Sequence, residues 1–215
     1  MNHKEFSDYI EKLNSAKGTP EIIGKIVTYA RESNIPAIRN TTAKILYTLA
    51  VIKQPKRVLE IGTGSGFSTI AIASGAPQSA EIITLERDKK RFDKAKDFFR
   101  DYPNIEIIYI DALKYLEKNN KAFDFVFLDA QKRDYINFLS LIEKCLADTG
   151  IFVADNLLFG GRVIHIPEED KPKYGEGARL LHKFNTSLAE NPSFDTTFLP
   201  VDDGIAIAIK RKSDG

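Results

Sequence analysis

The stretch from Arg57 to Ala73 constrains the fold more than any other part of the chain. It reads Arg-Val-Leu-Glu-Ile-Gly-Thr-Gly-Ser-Gly-Phe-Ser-Thr-Ile-Ala-Ile-Ala. The apolar run at 58–61 is typical of a buried parallel strand, and the apolar residues after the glycines favour a helix. The glycines allow a sharp turn and let the backbone approach a ligand, because no Cβ stands in the way. The stretch therefore predicts the first strand–turn–helix unit of a nucleotide-binding α/β domain.

Two acidic residues accompany this glycine turn. Glu60 lies in the predicted strand before it, and Glu86 ends the next apolar run, 81–86. A carboxylate at the end of the second strand is placed to bind the hydroxyls of a ribose. The glycines are spaced G-x-G-x-G, which is tighter than the dinucleotide pattern G-x-G-x-x-G. We therefore predict a ligand-binding turn, and not merely a tight connection between a strand and a helix.

From residue 56 onward, strand patterns alternate with helix patterns. Strands are predicted at 57–61, 81–86, 105–110, 123–128 and 150–155, and helices at 65–75, 88–100, 111–119 and 133–147. Such alternation predicts an α/β domain with a mostly parallel sheet and helices on both faces. Two β-prone runs, 194–200 and 204–210, flank a Val-Asp-Asp-Gly turn. This pattern predicts an antiparallel hairpin at the C-terminal end of the sheet.

A helical prefix, residues 1–55, precedes the α/β core, residues 56–215. We expect the two parts to form a single domain, residues 1–215. Helices are predicted in the prefix at 3–17, 20–33 and 42–52. Thr19 is expected to cap the second helix, with Pro20 at its first position, and Asn40 or Thr41 to cap the third.

Residues 160–177 interrupt the alternation. Glycines stand at both ends of this stretch and charged residues in its middle. A loop of this length in a compact domain is usually functional or mobile. We therefore predict a lid that orders over a substrate, followed by a helix at about 177–190.

The composition is that of an ordinary globular protein. Of the 215 residues, 43% are hydrophobic and 28% are charged, and the formal net charge is +1. No overall basic field therefore indicates a nucleic-acid partner. The single cysteine, Cys145, excludes an internal disulfide and lies in a helical pattern typical of a core residue. Without a signal peptide or a membrane-spanning run, a cytoplasmic location is expected.

Oxygen-bearing side chains follow the fourth and fifth predicted strands. Asp129 directly follows the fourth strand, and Asp155 and Asn156 stand at the end of the fifth. Neighbouring strands lie about 4.8 Å apart and parallel strands end at one edge of the sheet, so these side chains can converge. Two carboxylates and an amide oxygen suit a magnesium ion. The alternative is that each residue only caps a turn or a helix, but their combination at one edge favours the metal site.

Lys132 stands three residues after Asp129 and can face the same pocket. It is either a solvated surface lysine or, beside a metal and a cationic cofactor, a general base. The three histidines, His3, His165 and His182, are far apart in the sequence. We find no Ser/His/Asp or Cys/His arrangement and no metal-ligand spacing of histidine and cysteine.

These motifs resemble those of the cation-dependent class I O-methyltransferases, the family that includes catechol and caffeoyl-CoA O-methyltransferases. The resemblance extends over about 22–211, and its most specific stretches are 58–68, 124–132, 154–159 and 203–208. Within the family, the chain is most similar to bacterial members, which include the tRNA 5-hydroxyuridine methyltransferases. That similarity is carried by 53–60, 155–159 and 200–211.

The resemblance implies a Rossmann-like methyltransferase fold and S-adenosylmethionine as the cofactor. The cofactor-binding residues that it implies are Ile38, Glu60, Gly62, Thr63, Gly64, Gly66, Ser68, Glu86, Asp111, Ala112 and Asp129. In this set the glycine turn and Ser68 hold the methionine part, Glu86 the ribose, and residues 111–112 the adenine. At residues 37–42 the chain departs from the acidic sequence common in the family near Ile38.

The resemblance also implies that Asp129, Asp155 and Asn156 hold the metal and that Lys132 is the catalytic base. The expected reaction is transfer of a methyl group to a substrate hydroxyl, supported by Mg²⁺ or a similar divalent cation. One acceptor class is a small catechol or phenolic CoA ester, and the other is the wobble 5-hydroxyuridine of tRNA, giving 5-methoxyuridine. An NAD-dependent dehydrogenase is a further alternative, which the glycine spacing disfavours. We expect a homodimer and no membrane partner.

Overall fold

The computed structural model describes residues 3–15 and 20–212. Among them are eight α-helices and seven strands: α1 (His3–Asn14), α2 (Glu21–Glu32), α3 (Asn40–Lys53), β1 (Arg57–Ile61), α4 (Phe67–Gly75), β2 (Glu81–Glu86), α5 (Lys89–Phe98), β3 (Ile105–Tyr109), α6 (Ala112–Lys118), β4 (Phe123–Leu128), α7 (Tyr135–Cys145), β5 (Leu146–Ala154), α8 (Lys171–Ala189), β6 (Phe194–Leu199) and β7 (Ile205–Lys210). Short 3₁₀ helices, Lys132–Asp134 and Glu168–Asp170, precede α7 and α8. No helix in the described part of the chain combines the length and apolar character needed to cross a bilayer.

The chain divides into two compact units, Met1–Asp111 and Ala112–Gly215. The first unit contains three parallel strands in the order β3-β2-β1. Its core brings together three buried residues: Ile26 of α2, Phe67 of α4 and Phe99, which directly follows α5. The prediction that the whole chain is one domain stays a prediction.

The second unit contains the strands β4-β5-β7-β6 in that order. β4 and β5 are parallel, whereas β7 is antiparallel to both β5 and β6. Aromatic side chains fill the core: the rings of Tyr135 and Phe184 pack edge to face at 5.2 Å, and Phe152 contacts Phe184 in the same way. The predicted α/β fold, mostly parallel with a C-terminal antiparallel hairpin and a helical prefix, is confirmed.

The prediction that 160–177 is a loop is wrong for its C-terminal part. α8 begins at Lys171, with Pro172 in its first turn, where the missing N–H of proline has no intrahelical acceptor to lose. The glycine at 177 lies inside this helix. A Cβ at this position would stand 3.4 Å from the Phe159 ring. A glycine that suggested a loop therefore lies within a helix.

The predicted cap of the third helix is also wrong. α3 begins at Asn40, and its N-cap is Arg39, whose side chain makes no capping hydrogen bond. Instead, the carboxylate of Glu11 in α1 accepts hydrogen bonds from the backbone N–H groups of Asn40, at 2.8 Å, and Thr41, at 3.0 Å. A side chain from another helix thus satisfies the free donors at this helix start.

Two further element ends differ from the predictions. β5 begins at Leu146, because this residue pairs with Phe123 before the ladder shifts register and continues at Ile151. Pro20 directly precedes α2 and is not its first residue. Thr19, the predicted cap of α2, lies outside the described residues.

Candidate active site

The turn between β1 and α4 is built from left-handed backbone. Gly62, Gly64 and Gly66 have φ values of 102°, 56° and 92°, which residues with a Cβ rarely adopt. A Cβ on Gly66 would also lie 2.9 Å from the Phe99 ring. The glycines therefore set the shape of the turn and allow it to pack against Phe99, just after the end of α5.

Backbone hydrogen bonds fix this turn against the neighbouring strand. The N–H groups of Gly62 and Thr63 both donate to the carbonyl oxygen of Leu85 at 3.1 Å. Ser68 lies buried in the first turn of α4. The free N–H groups at such a helix start attract an anionic group of a ligand.

Glu86 joins the glycine turn to the loop after β2. Its Oε2 accepts a hydrogen bond from the N–H of Gly64 at 3.0 Å. Its Oε1 accepts two more, from Arg87 at 2.9 Å and Asp88 at 2.8 Å. The structure thus brings together two of the residues that the sequence marked for ligand binding, Glu86 and Gly64.

Glu60 lies beneath the turn and is fully buried. Its Oε2 accepts hydrogen bonds from the hydroxyls of Thr69 and, at 2.5 Å, Thr84. The Thr84 hydroxyl is also 2.6 Å from that of Thr63. This network supports the glycine turn from the interior of the first unit. It was not predicted from the sequence, because a single threonine in a strand or helix does not indicate a hydrogen-bond network.

The connector before α3 runs beside the same turn. The carbonyl oxygen of Pro36 lies 4.0 Å from the Cβ position of Gly64, and Ile38 packs against the core of the first unit. After β3, the N–H of Ile110 donates to the carbonyl oxygen of Glu86 at 3.0 Å, and Asp111 is the next residue. Ala112 is the first residue of α6.

In the second unit, the ends of β4 and β5 bring Asp129, Asp155 and Asn156 together. Leu128 and Ala154 are paired across the two strands, and the N–H of Asp155 donates to the carbonyl oxygen of Leu128 at 3.0 Å. The amide nitrogen of Asn156 donates to Asp129 Oδ1 at 3.0 Å, and the backbone N–H of Asn156 donates to Asp155 Oδ1 at 2.6 Å. The predicted convergence of these three residues is therefore observed.

Asp155 is only 4% exposed, and its ionised form is costly there. Burial, and then the charge of Asp129, raise the pKa of Asp155 to about 7, although the N–H of Asn156 and the charge of Lys132 lower it. The folded protein therefore favours the protonated form of Asp155 more than water does.

Lys132 stands beside these carboxylates at the start of the 3₁₀ helix. Its Nζ lies 3.3 Å from Asp129 Oδ1, and its side chain is 20% exposed. Behind it, the buried hydroxyl of Tyr135 donates to the carbonyl oxygen of Asp155 at 2.9 Å. Tyr135 therefore fixes the backbone of Asp155, a role that the sequence did not reveal.

The residues of this cluster fit a divalent cation. Among residues 3–15 and 20–212, no three histidine, cysteine, aspartate or glutamate side chains lie close enough to hold a metal ion. A site would therefore combine the carboxylates of Asp129 and Asp155 with the amide oxygen of Asn156, a set of hard oxygen ligands. The amide of Asn156 would have to turn, because its nitrogen now faces Asp129. Burial, and then the charge of Asp129, raise the pKa of Asp155, so a bound cation would favour its ionised form.

Cys145 takes no part in this chemistry. It is buried, and burial raises the pKa of its thiol to about 11. Because the thiolate is the nucleophilic form, the structure agrees with the prediction of a core cysteine.

Comparison with known proteins places the chain among methyltransferases. Residues 14–211 match the O-methyltransferase family. The chain is 29% identical to caffeoyl-CoA O-methyltransferase 1 of Arabidopsis thaliana over 96% of this chain and 85% of that protein. It is 33% identical to a catechol O-methyltransferase of Niastella koreensis over 84% of this chain and 86% of that protein.

A solved structure shows the same fold. The SAH-bound methyltransferase PaMTH1 of Podospora anserina superposes with a TM-score of 0.84 and 26% identity, covering 99% of this chain and 98% of that one. The expected Rossmann-like methyltransferase fold is confirmed, and the dehydrogenase alternative is set aside. The chain belongs to the family of S-adenosylmethionine-dependent O-methyltransferases.

Proposed function

We propose that this enzyme uses a divalent cation and methylates a hydroxyl of a small catechol-type acceptor. The observation that carries the proposal is the cluster of Asp129, Asp155 and Asn156 with Lys132 beside it. The names of two similar proteins, a caffeoyl-CoA and a catechol O-methyltransferase, support an acceptor of this class. The tRNA acceptor is the alternative outcome of the test below.

The first unit would supply the cofactor site. The glycine turn and Ser68 would bind the methionine part of S-adenosylmethionine, and Glu86, already bonded to Gly64, the ribose. Ile38, Glu60, Thr63, Asp111, Ala112 and Asp129 complete the proposed set of cofactor-binding residues. When bound, the cofactor supplies an activated methyl group. The rigid turn would orient it for in-line attack, which is worth much of the rate enhancement in such transfers.

The second unit would prepare the acceptor. Asp129, Asp155 and the amide oxygen of Asn156 would hold Mg²⁺, which would supply Lewis-acid stabilisation of the acceptor oxyanion. Lys132 Nζ, 3.3 Å from Asp129 Oδ1, would take the proton of the acceptor hydroxyl as a general base. Tyr135 would keep Asp155 in place through its carbonyl oxygen.

Removal of the metal tests this function directly. Methylation of 3,4-dihydroxybenzoate or caffeoyl-CoA should stop in excess chelator and return when Mg²⁺ is added. Asp155→Asn should lose the rescue but keep its affinity for S-adenosylmethionine. Full activity in excess chelator would contradict the metal dependence. If only tRNA is methylated, as nucleoside mass spectrometry would show, the catechol-type acceptor is wrong.

We also propose that the enzyme is a homodimer. α1 carries four exposed hydrophobic side chains at helical spacing, Phe6, Tyr9, Ile10 and Leu13, here called the α1 stripe. The opposite, polar side of α1 contacts α3 through Glu11 and Asn14. This arrangement supports a second copy of the chain as the partner that covers the stripe.

A further inference from the structure

The turn of the C-terminal hairpin is fastened to the loop that begins at Asn156. The N–H of Leu157 donates to the carbonyl oxygen of Gly204 at 3.0 Å, and that of Leu158 to the carbonyl oxygen of Asp203 at 2.8 Å. The N–H of Gly160 donates to the side-chain Oδ1 of Asp203 at 2.7 Å. Asp203 therefore holds this loop with both its backbone and its side chain.

The loop needs such support because its backbone is left-handed at several positions. The φ values of Asn156, Phe159 and Gly160 are 61°, 51° and 62°. Left-handed backbone is unfavourable for residues other than glycine and persists only where the surroundings impose it. Contacts from outside the loop must therefore help to define its course.

The sequence of the hairpin turn permits the close approach. Gly204 has a φ of 84°, and a Cβ there would lie 2.7 Å from Leu158 Cγ and 3.2 Å from Leu158 N. Any side chain at this position would push the loop away from the hairpin. The lack of a side chain at Gly204 thus allows the close approach, and Asp203 supplies the side-chain hydrogen bond across it.

We propose that Asp203 is a positioning residue, which holds the loop after β5 so that Asn156 and Asp155 are oriented toward a divalent cation. This inference rests on the proposed metal dependence and adds a residue to it. Asp203 acts through the Gly160 N–H and does not itself touch the ion. Ligand-orienting residues of this kind typically contribute about 10- to 100-fold to metal affinity.

Three variants separate this role from a general effect on stability. Asp203→Ala removes the acceptor for Gly160, whereas Asp203→Asn keeps an acceptor oxygen in place. The matched control is Asp195→Ala, since Asp195 belongs to the same hairpin but pairs with the exposed Arg211. If Asp203→Ala does not fold, Asp203→Ser, whose hydroxyl is too short to reach Gly160, takes its place.

Two measurements on the full chain test the proposal. Amide hydrogen exchange reports the hold on Gly160, which should exchange at least about tenfold faster in Asp203→Ala. Titration with Mn²⁺ alone, followed by electron paramagnetic resonance, reports the cation site without any acceptor. The Kd for Mn²⁺ should rise about 10- to 100-fold in Asp203→Ala. It should stay near the wild-type value in Asp203→Asn and Asp195→Ala, and S-adenosylhomocysteine affinity should be unchanged throughout.

The outcomes distinguish this inference from the proposed function. Unchanged Gly160 exchange in Asp203→Ala would show that Asp203 does not hold the loop. Faster exchange with unchanged Mn²⁺ affinity would overturn the positioning role while leaving the metal site intact. A wild-type protein that binds no Mn²⁺ would instead contradict the metal dependence itself.

Discussion

The buried carboxylate of Asp155 should destabilise the protein at neutral and alkaline pH when no cation is bound. The pKa of Asp155 is about 7 in the folded state, against about 3.9 for an unperturbed aspartate. The folded state therefore binds more protons, and this residue costs stability as pH rises through that range. The cost is absent below it and fully present above pH 7.

Asp155→Asn should therefore raise the melting temperature of the chelator-treated protein at pH 8 and change it little at pH 4. The replacement keeps an oxygen that can accept the N–H of Asn156, so packing is retained. Differential scanning fluorimetry at the two pH values measures the effect, with the exposed Asp101→Asn as control. An equal shift at both pH values would mean that the ionisation of Asp155 is not its cause.

The proposed role of Lys132 as a general base should appear in catalysis. Lys132→Met removes the amine, whose Nζ lies 5.6 Å from the centroid of the Tyr135 ring, but keeps an apolar side chain of similar length. Turnover should fall by about 10²- to 10⁴-fold, the usual contribution of a general base. Affinity for S-adenosylmethionine should stay near normal in isothermal titration calorimetry. The neighbouring and more exposed Arg133→Met is the control, and equal rates for both variants would leave Lys132 without a catalytic role.

Two glycines of the first unit form a matched pair for substitution by alanine. Gly66 has a φ of 92° and no room for a Cβ beside Phe99, whereas Gly24, inside α2, has nothing within 4 Å of its Cβ position. Gly24→Ala should stabilise the protein by about 0.5–1 kcal/mol, because alanine loses less entropy in a helix. Gly66→Ala should destabilise it by about 1–3 kcal/mol through strain and overpacking.

Denaturant unfolding and cofactor titration measure the two effects. Gly66→Ala should also weaken S-adenosylmethionine binding, since the turn can no longer keep its shape, while Gly24→Ala should bind as wild type does. A Gly66→Ala protein with normal stability and affinity would show that the turn tolerates a side chain and that its glycines are not required.

The sequence predicted strands and most helices of the core because periodicity and turn residues are local signals. The predictions of helix starts were wrong where contacts with residues distant in the sequence are involved. Glu11 caps a helix that begins 29 residues later in the chain, and the glycine at 177 lies inside α8 beside the Phe159 ring. Neither contact leaves a local pattern, so the start of α3 and the start of α8 were predicted wrongly.

In the molecule as a whole, the order and direction of the strands were enough to predict where the polar side chains of the candidate site lie. In parallel sheets, ligands bind at the carboxyl ends of the strands, which sufficed to predict that Asp129, Asp155 and Asn156 converge. The supporting contacts did not follow from it. Asp203 and Gly160 are 43 residues apart, and the Val-Asp-Asp-Gly turn was predicted only as a hairpin connection. Tyr135, which holds Asp155, looked like any aromatic residue at the start of a helix.

The exposed face of α1 is the surface that the proposed dimer would bury. Single exposed hydrophobic residues are common on protein surfaces, but Phe6, Tyr9, Ile10 and Leu13 lie on one face of α1 and are 52%, 62%, 44% and 53% exposed. Helices normally turn such a face toward their own core, whereas none of the α1 side chains described is buried.

A dimer through the α1 stripe should therefore separate when a charge is placed in it. Wild type should elute at twice the chain mass of 24.2 kDa in size-exclusion chromatography with light scattering, and Ile10→Asp at the mass of one chain. A carboxylate buried without a partner costs several kcal/mol, so the Ile10→Asp protein should dissociate at micromolar concentration. Ile164→Asp, at a residue 82% exposed in the other unit, is the control and should stay dimeric. A monomeric wild type would contradict the dimer, and a dimeric Ile10→Asp would place the interface elsewhere.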